Sequence, residues 1–173
     1  MPIYALGERV PRVHPDAFVH PEAVLIGDVT IGPESTVWPT AVLRGDHGTI
    51  TVGARTSVQD GTVVHCTADL PTVIGDRVVV GHNAHLEGCT VEDDCLVGSG
   101  SVVLHRVVLR RGSLVGASAL VPNDTEVPGG AMALGVTCRI REGAVAEGAF
   151  AYAVERYVAN GHWYRAELRR LDG

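Results

Sequence analysis

Residues 91–127 read VEDDCL-VGSGSV-VLHRVV-LRRGSL-VGASAL-VPNDTE-V, so that every sixth residue is valine or leucine. The same step of six extends towards the N-terminus, with two interruptions and one step of five residues. In all, nineteen positions of this series are Val, Leu or Ile: Val13, Val19, Leu25, Ile31, Val37, Leu43, Val52, Val58, Val64, Ile74, Val80, Leu86, Val91, Val97, Val103, Leu109, Val115, Val121 and Val127. Small or β-branched residues stand four positions after most of them, as Ala23, Ser101 and Ala119 do.

A period of six fits neither an α-helix nor a strand with alternating faces. It predicts an all-β solenoid, a parallel β-helix in which each hexad forms one short strand and one turn. The large aliphatic side chain points into a narrow triangular prism, and the small residue lies near a corner. Three hexads complete a coil, and coils stack at the strand spacing of about 4.8 Å. This narrow interior explains why only 5% of the residues are aromatic.

The repeat also predicts the domain organisation. A β-helix is expected over residues 1–135, with short loops at 45–51 and 66–72 where the period of six is interrupted. The C-terminal segment 136–173 lacks the repeat and is expected to contain an α-helix packed on the β-helix.

That helix is predicted within about 144–171, where apolar residues recur at helical spacing. The pair Asn160-Gly161 is expected to weaken it. Its recurring apolar positions include Val154, Tyr157, Val158, Leu168 and Leu171.

The composition excludes several classes of protein. The chain contains no lysine, so neither a Schiff-base lysine nor a phosphate-binding Gly-Lys-Ser/Thr loop can exist. A net charge of −6 provides no basic excess for nucleic acid. No apolar run has the length of a bilayer-spanning helix, and the N-terminus shows no secretory signal. Four cysteines without a close paired motif are interpreted as reduced thiols. We therefore expect a cytoplasmic protein with no nucleic-acid or membrane partner.

Two faces of the predicted prism carry polar side chains in register. Arg44, His65 and Glu87 each follow an inward aliphatic residue in successive coils, so they stack on one face. Asp60 and His82 occupy equivalent places in their hexads and stack on another face. Within one prism the two stacks diverge. They meet only if the first face of one subunit docks near the second face of another, as cyclic packing of three prisms allows.

Two imidazoles and a carboxylate at such an interface have the donor types of a zinc site. A catalytic zinc has three protein ligands and leaves a fourth position for water, and the metal lowers the pKa of that water towards about 7. Spacing alone leaves two other interpretations open. His65 and Glu87 can be an exposed pair that contributes little, and His82 can simply hydrogen-bond to Asp60.

Four segments of the chain carry a family resemblance. They are Val37–Asp46 (VWPTAVLRGD), Ile50–Gly61 (ITVGARTSVQDG), Val64–His65 and Val80–His82. Together they resemble the gamma-class carbonic anhydrase-like branch of the hexapeptide-repeat, left-handed β-helix family, and the similarity covers about residues 10–165.

The resemblance implies a left-handed coil, homotrimers and metal sites at subunit interfaces. It implies an interface ion pair between Arg44 and Asp46. It also implies that Gln59 and Asp60 orient the metal-bound water and the substrate. Tyr157 then corresponds to the tyrosine that faces the site in this family. The implied reaction is attack of zinc hydroxide on CO₂, the carbonate dehydratase reaction.

The implied metal ligands are His65, His82 and Glu87, with zinc or another divalent metal as the cofactor. The family pattern has a third histidine five residues after the second ligand, and here that position is Glu87. His85 is the alternative third ligand. A glutamate can ligate zinc, but its negative charge makes the metal less Lewis-acidic. The activity is therefore expected to be weak or altered.

Two other functions stay open. Many hexapeptide proteins are acyltransferases that use one interfacial histidine as a general base, so the second interpretation is an acyl-CoA acetyltransferase or thioesterase. The third is a non-catalytic trimeric scaffold, which the glutamate at position 87 favours. The small-molecule substrate is CO₂, bicarbonate or a thioester under these interpretations. Cys66 and Cys89, in adjacent coils, are a candidate redox-switched pair, and His105 is interpreted as a structural or surface residue.

Overall fold

The computed structural model describes residues 2–172, and this part of the chain forms twenty β-strands and one α-helix. Most strands have two or three residues, as one hexad per strand requires, whereas β4 and β6 extend across two faces of the prism. The elements are β1 (Ile3–Tyr4), β2 (Arg12–Val13), β3 (Phe18–Val19), β4 (Val24–Ile31), β5 (Thr36–Val37), β6 (Val42–Val52), β7 (Ser57–Val58), β8 (Val63–His65), β9 (Thr72–Ile74), β10 (Val79–Val80), β11 (His85–Glu87), β12 (Thr90–Val91), β13 (Leu96–Val97), β14 (Val102–Val103), β15 (Val108–Leu109), β16 (Leu114–Val115), β17 (Leu120–Val121), β18 (Glu126–Val127), β19 (Met132–Leu134), β20 (Arg139–Arg141) and α1 (Ala151–Glu167).

The strands stack in three columns, one for each face of the prism. Face A contains the first part of β6 with β8, β11, β14 and β17, and face B contains the last part of β6 with β9, β12, β15 and β18. Face C contains β3, β5, β7, β10, β13, β16 and β19. Within each column the strands are parallel and in register, so equivalent hexad positions lie directly above one another.

The hexad positions form the core that the sequence predicts. Eighteen of the nineteen are buried, and Val13 is partly buried against them. On face A, the inward ladder consists of Leu43, Val64, Leu86, Val103 and Val121. The all-β solenoid is therefore confirmed, while its left hand stays a prediction.

The two interruptions of the repeat agree only in part with the predicted loops. The one predicted at 66–72 lies between β8 and β9 and ends one residue earlier, because Thr72 begins β9. The one predicted at 45–51 is not a loop, since β6 continues through it as extended backbone.

A bulge in β6 explains this difference. Where β4 has the single residue Asp28, the paired part of β6 has four residues, 46–49. They protrude beside the segment between β8 and β9: a Cβ atom on Gly48 would lie 2.2 Å from the carbonyl oxygen of Thr67. The close approach of the two protrusions leaves no room for a side chain at position 48, and residues 46–49 stay extended.

The helix α1 packs on face C, against β3, β5 and β7. Its buried residues are Val154, Val158 and Gly161, which confirms part of the predicted apolar side. Leu168 and Leu171 were predicted on that side and lie outside it. The helix ends at Glu167, Leu168 is extended, and both leucines are exposed. Among residues 2–172, no helix combines the length and apolar character that a membrane span requires.

The pair Asn160-Gly161 does not interrupt α1, contrary to the expectation from glycine's low helix propensity. A Cβ atom on Gly161 would lie 2.6 Å from Cγ2 of Thr36, so glycine is what lets the helix approach face C. An ion pair also holds the helix, because the Arg55 guanidinium donates to Glu155 of α1 at 2.6 Å and to Glu34 at 3.0 Å.

The end of the solenoid is closed by a strand of opposite direction. β20 pairs antiparallel with β19 at the top of face C. Just before it, the chain crosses the top of face A, where the Leu120 N–H donates to the Gly135 carbonyl at 3.1 Å and the Cys138 N–H donates to the Leu120 carbonyl at 2.8 Å. The C-terminal segment predicted as 136–173 thus begins as part of the sheet.

Candidate metal centre

The first polar stack of the sequence prediction exists on the outer side of face A. Arg44 pairs with His65 between β6 and β8, and His65 pairs with Glu87 between β8 and β11. Because the preceding residue of each strand points into the core, these three side chains point outward. The register that the hexad repeat predicted is therefore correct at this site.

The imidazole of His65 lies between two carboxylates and is only 16% exposed. Its Nδ1 atom is 2.9 Å from Oε1 of Glu87, and its Nε2 atom is 3.0 Å from Oδ1 of Asp46. Each nitrogen donates to the carboxylate when it carries a proton. A metal ion would replace one of these two protons and leave the other in its hydrogen bond, as is usual for metal-bound histidines.

Asp46 joins the predicted ion pair to His65. One oxygen accepts from the guanidinium of Arg44, and the other faces His65. Burial opposes ionisation of Asp46, but the hydrogen bonds from His65 and Arg44 outweigh it and lower the pKa to about 2. Asp46 begins the bulge of β6, which lets its side chain fold back over His65. The Arg44–Asp46 pair is formed within one chain, and its place at a subunit interface stays a prediction.

Glu87 is surrounded by three imidazoles. Its Oε1 atom lies 2.9 Å from His65 Nδ1 and 3.5 Å from His105 Nε2, and its Oε2 atom lies 3.3 Å from His85 Nε2. Burial raises the pKa of the carboxyl group, but the hydrogen bond from His65 and the attraction of the nearby His105 overcome this and lower it below the ordinary value. The structure therefore brings both candidate third ligands, Glu87 and His85, into one cluster.

His105 also contacts this cluster. The sequence pattern indicated a structural or surface residue and did not place it at the site. β11 and β14 are offset by 17 residues, because Leu86 pairs with Val103, so His105 lies one coil above Gly88 and next to Glu87. The step of five residues from Leu86 to Val91 is the sequence signal that could have placed it there.

The second predicted stack also exists, and it lies at the corner between faces C and A. Nδ1 of His82 is 2.8 Å from Oδ2 of Asp60, and both side chains are about half exposed. Gln59 is buried beside Asp60, and its N–H donates to the Val80 carbonyl at 3.0 Å.

Tyr157 lies on α1 next to face C, and its ring packs against Trp38 of the same chain. Its ring centroid is 6.1 Å from that of Trp38, whose Nε1 donates to Ser57 Oγ at 2.9 Å. The half-buried tyrosine is thus held against face C by α1. Contact of Tyr157 with a bound metal or substrate stays a prediction.

The donor types of the two stacks fit zinc, but one chain alone does not assemble them. Imidazole nitrogens and carboxylate oxygens are ordinary zinc ligands, and His65 already has the carboxylate partners that a zinc-bound histidine requires. Within residues 2–172, however, no group of three His, Cys, Asp or Glu side chains is arranged to hold a metal ion. Assembly of the two stacks into one site across a subunit interface stays a prediction.

The two cysteines near the cluster are poor candidates for a redox switch. Cys66 and Cys89 are both buried free thiols. Burial raises the pKa of Cys66 and raises that of Cys89 to about 12. Because the thiolate is the reactive form, neither sulfur is activated at neutral pH.

Known proteins are similar to this chain in both sequence and fold. A family profile described as "Bacterial transferase hexapeptide (six repeats)" matches residues 71–105. The mitochondrial gamma carbonic anhydrase 2 of Arabidopsis thaliana is 46% identical over 129 residues, which is 71% of this chain and 46% of that protein. The carnitine operon protein CaiE of Escherichia coli K12 is 44% identical over 121 residues, or 70% of this chain and 62% of CaiE. The chain thus spans about half to three-fifths of the length of these relatives.

Two solved structures match almost the whole chain. A Bacillus cereus protein assigned provisionally as an acetyltransferase superimposes with a TM-score of 0.92 at 31% identity, covering 95% of this chain and 96% of that one. A hexapeptide transferase family protein from Anaplasma phagocytophilum gives a TM-score of 0.89 at 34% identity, covering 94% and 98%. The chain therefore belongs to the hexapeptide-repeat family, in the branch that contains the gamma carbonic anhydrase-like proteins.

Proposed function

We propose that this protein is a gamma carbonic anhydrase-like zinc enzyme whose site forms between the subunits of a homotrimer. The observation that carries the proposal is the largely buried His65, held at both ring nitrogens by Asp46 and Glu87. Two carboxylates on one imidazole fix the orientation of its ring, which is the arrangement that a metal ligand needs.

An apolar ladder on the outside of face A supports the trimer. Outward residues of successive coils are paired along the sheet, and Val63 among them is 40% exposed. The apolar members are Val42, Val63, Val102 and Leu120, and His85 stands between Val63 and Val102. An apolar strip beside the polar cluster suits a second copy of the chain. His82 of the partner subunit would then reach His65 and Glu87.

In the proposed site, His65 and Glu87 hold zinc together with His82 of the partner subunit, and His85 is the alternative to Glu87. When bound, zinc supplies the Lewis acidity that makes water a strong nucleophile at neutral pH. Asp46 holds the His65 ring against rotation, and Arg44 keeps Asp46 ionised and in place. Gln59 and Asp60 position the water and the CO₂ molecule that it attacks.

Metal analysis and activity together test this proposal. Untagged protein prepared without chelator should contain stoichiometric zinc or another divalent metal, run as a trimer by light scattering, and hydrate CO₂ in a stopped-flow pH-indicator assay. A monomer, or a trimer without stoichiometric metal, would refute it.

The Glu87→His variant separates a working site from a decayed one. If the site with two histidines and a glutamate works, the parent is active and the variant changes the rate only modestly. If CO₂ hydration appears only in the variant, the parent site has lost its activity, and the scaffold interpretation applies.

Acyl transfer is the second candidate, because both full-length structural relatives are described as transferases. His82, about half exposed and paired with Asp60, has the partner that a general base needs. A thermal shift assay distinguishes the two functions. Protection by coenzyme A but not by bicarbonate would favour acyl transfer, and an Asp60→Asn variant should then lose the acyl-transfer rate while keeping its fold.

A further inference from the structure

The ring of His105 lies in a slot that a glycine makes possible. His105 follows β14, one coil above Gly88 and beside Glu87. A Cβ atom on Gly88 would lie 3.0 Å from both Cδ2 of His105 and Cβ of Leu70. Gly88 also has a φ of +59°, which L side chains rarely adopt. On the other side, the His105 N–H donates to Oδ1 of Asn123 at 3.2 Å. The backbone of His105 is thus held by Asn123, and its ring is held in the space above Gly88.

In this slot, one ring nitrogen of His105 points at Glu87, the carboxylate next to His65 and His85. Nε2 of His105 is buried from solvent and has no hydrogen bond of good geometry within residues 2–172. The carboxylate facing it is Glu87, with Oε1 at 3.5 Å. Leaving a buried polar group without a close partner destabilises the fold. An apolar residue would avoid that cost, so a histidine here indicates a role that depends on the nitrogen.

We propose that His105 is a positioning residue of the metal centre, acting through Glu87. It attracts Oε1 of Glu87 and so fixes the plane of the carboxylate that faces His65 and His85. This inference rests on the proposed function, since it concerns the same site, but it needs no metal to be tested. Outer partners of metal ligands typically change metal affinity by about 10–100-fold when they are removed.

A matched pair of variants isolates the nitrogen from the bulk of the ring. The amide nitrogen of glutamine can take the place of imidazole Nε2, whereas the shorter asparagine reaches only to the place of Nδ1. His105→Gln should therefore preserve the contact with Glu87, and His105→Asn should lose it. The control is His162→Gln, because His162 is an exposed histidine 3.7 Å from a carboxylate, that of Glu34.

The first measurement is made without metal. In chelator-treated trimer, nitrogen NMR of the histidine rings should show shifted signals for His65 and His85 in His105→Asn. The signals should be close to wild type in His105→Gln and in the control. Equal spectra for the two His105 variants would overturn the proposal, whether both match wild type or both are perturbed. If His105→Asn does not fold, His105→Phe keeps a ring there and takes its place in the comparison.

The second measurement is zinc affinity by competition with a chelator. His105→Asn should bind zinc about 10–100-fold more weakly at unchanged stoichiometry, and His105→Gln should stay within about threefold of wild type. Equal affinities for the two variants would contradict the role of the nitrogen. If wild type binds no zinc, the proposed function fails, and the ring spectra still decide the role of His105.

Discussion

Replacing Gly161 by alanine tests how closely α1 packs on the β-helix. The added Cβ atom would lie 2.6 Å from Cγ2 of Thr36, where ordinary contacts are 3.4–4 Å. Thr36 is 2% exposed, and its Oγ1 is 3.0 Å from Oγ of Ser57, so its side chain cannot turn away without losing a buried hydrogen bond. The helix must therefore shift outward by about 1 Å or compress its neighbours.

Two opposing effects set the size of the change. Alanine is favoured over glycine in a helix interior by about 1 kcal/mol, and overpacking of a tight contact costs about 1–3 kcal/mol. The net loss of stability for Gly161→Ala is thus about 0–2 kcal/mol. Thr36→Ser removes the clashing methyl group, keeps the hydroxyl, and alone costs about 1 kcal/mol. In the double variant the clash is gone, so the two changes should couple favourably by about 1–3 kcal/mol.

Urea denaturation followed by tryptophan fluorescence measures this coupling. Trp38 reports on the helix, because its ring centroid is 5.1 Å from that of Tyr164 on α1. The exposed Trp163 is replaced by phenylalanine throughout, which leaves Trp38 as the single tryptophan. All variants are compared at one protein concentration, because the stability of the proposed trimer would depend on it. A gain of about 1 kcal/mol in Gly161→Ala alone, with no coupling to Thr36→Ser, would refute the close contact.

Three further predictions concern the core, the corner charges and the site. Leu86→Ala should lower the unfolding free energy by about 2–5 kcal/mol in urea titrations, because Leu86 is fully buried; a loss below about 1 kcal/mol would contradict the narrow, rigid core. The hydrogen bond from Arg77 lowers the pKa of Asp94 in the fold. Ionised Asp94 therefore stabilises the folded state fully above the ordinary Asp pKa of about 4. This stabilisation is lost as the pH falls through the lower pKa that Asp94 has in the folded state. In Arg77→Gln the melting temperature should therefore fall less steeply as the pH is lowered through the acid range. An unchanged dependence of melting temperature on pH would contradict a stabilising Arg77–Asp94 pair. Asp46→Asn should weaken zinc binding about 10–100-fold in chelator competition, whereas unchanged affinity would show that Asp46 does not orient His65.

The sequence is sufficient to predict the coil and the register of the candidate site. An aliphatic residue at every sixth position can be buried throughout only if each hexad makes one strand and one turn. Once Leu43, Val64 and Leu86 point inward, the next residue of each strand must point outward. The stack of Arg44, His65 and Glu87 follows directly from that alternation.

Features that depend on three-dimensional contacts could not be predicted in this way. An insertion in the repeat shows that residues 46–49 protrude, but not that they stay extended beside the second protrusion. The direction of the His105 ring depends on the slot above Gly88, which no periodicity describes. Likewise, Gly161 suggests a weak helix in sequence, whereas in the fold it permits close packing against Thr36.

The antiparallel strand β20 sets the length of the molecule. A parallel coil ends in unpaired backbone groups that can accept another strand of the same direction, and stacked coils could in principle continue from one molecule to the next. β20 runs the opposite way and carries Arg139 and Arg141, both exposed, at this end. Together with the crossing at Gly135 and Cys138, it pairs backbone groups of faces C and A that a parallel strand of another molecule would otherwise bind. The short antiparallel strand therefore ends a stack of parallel coils that the hexad repeat alone does not end.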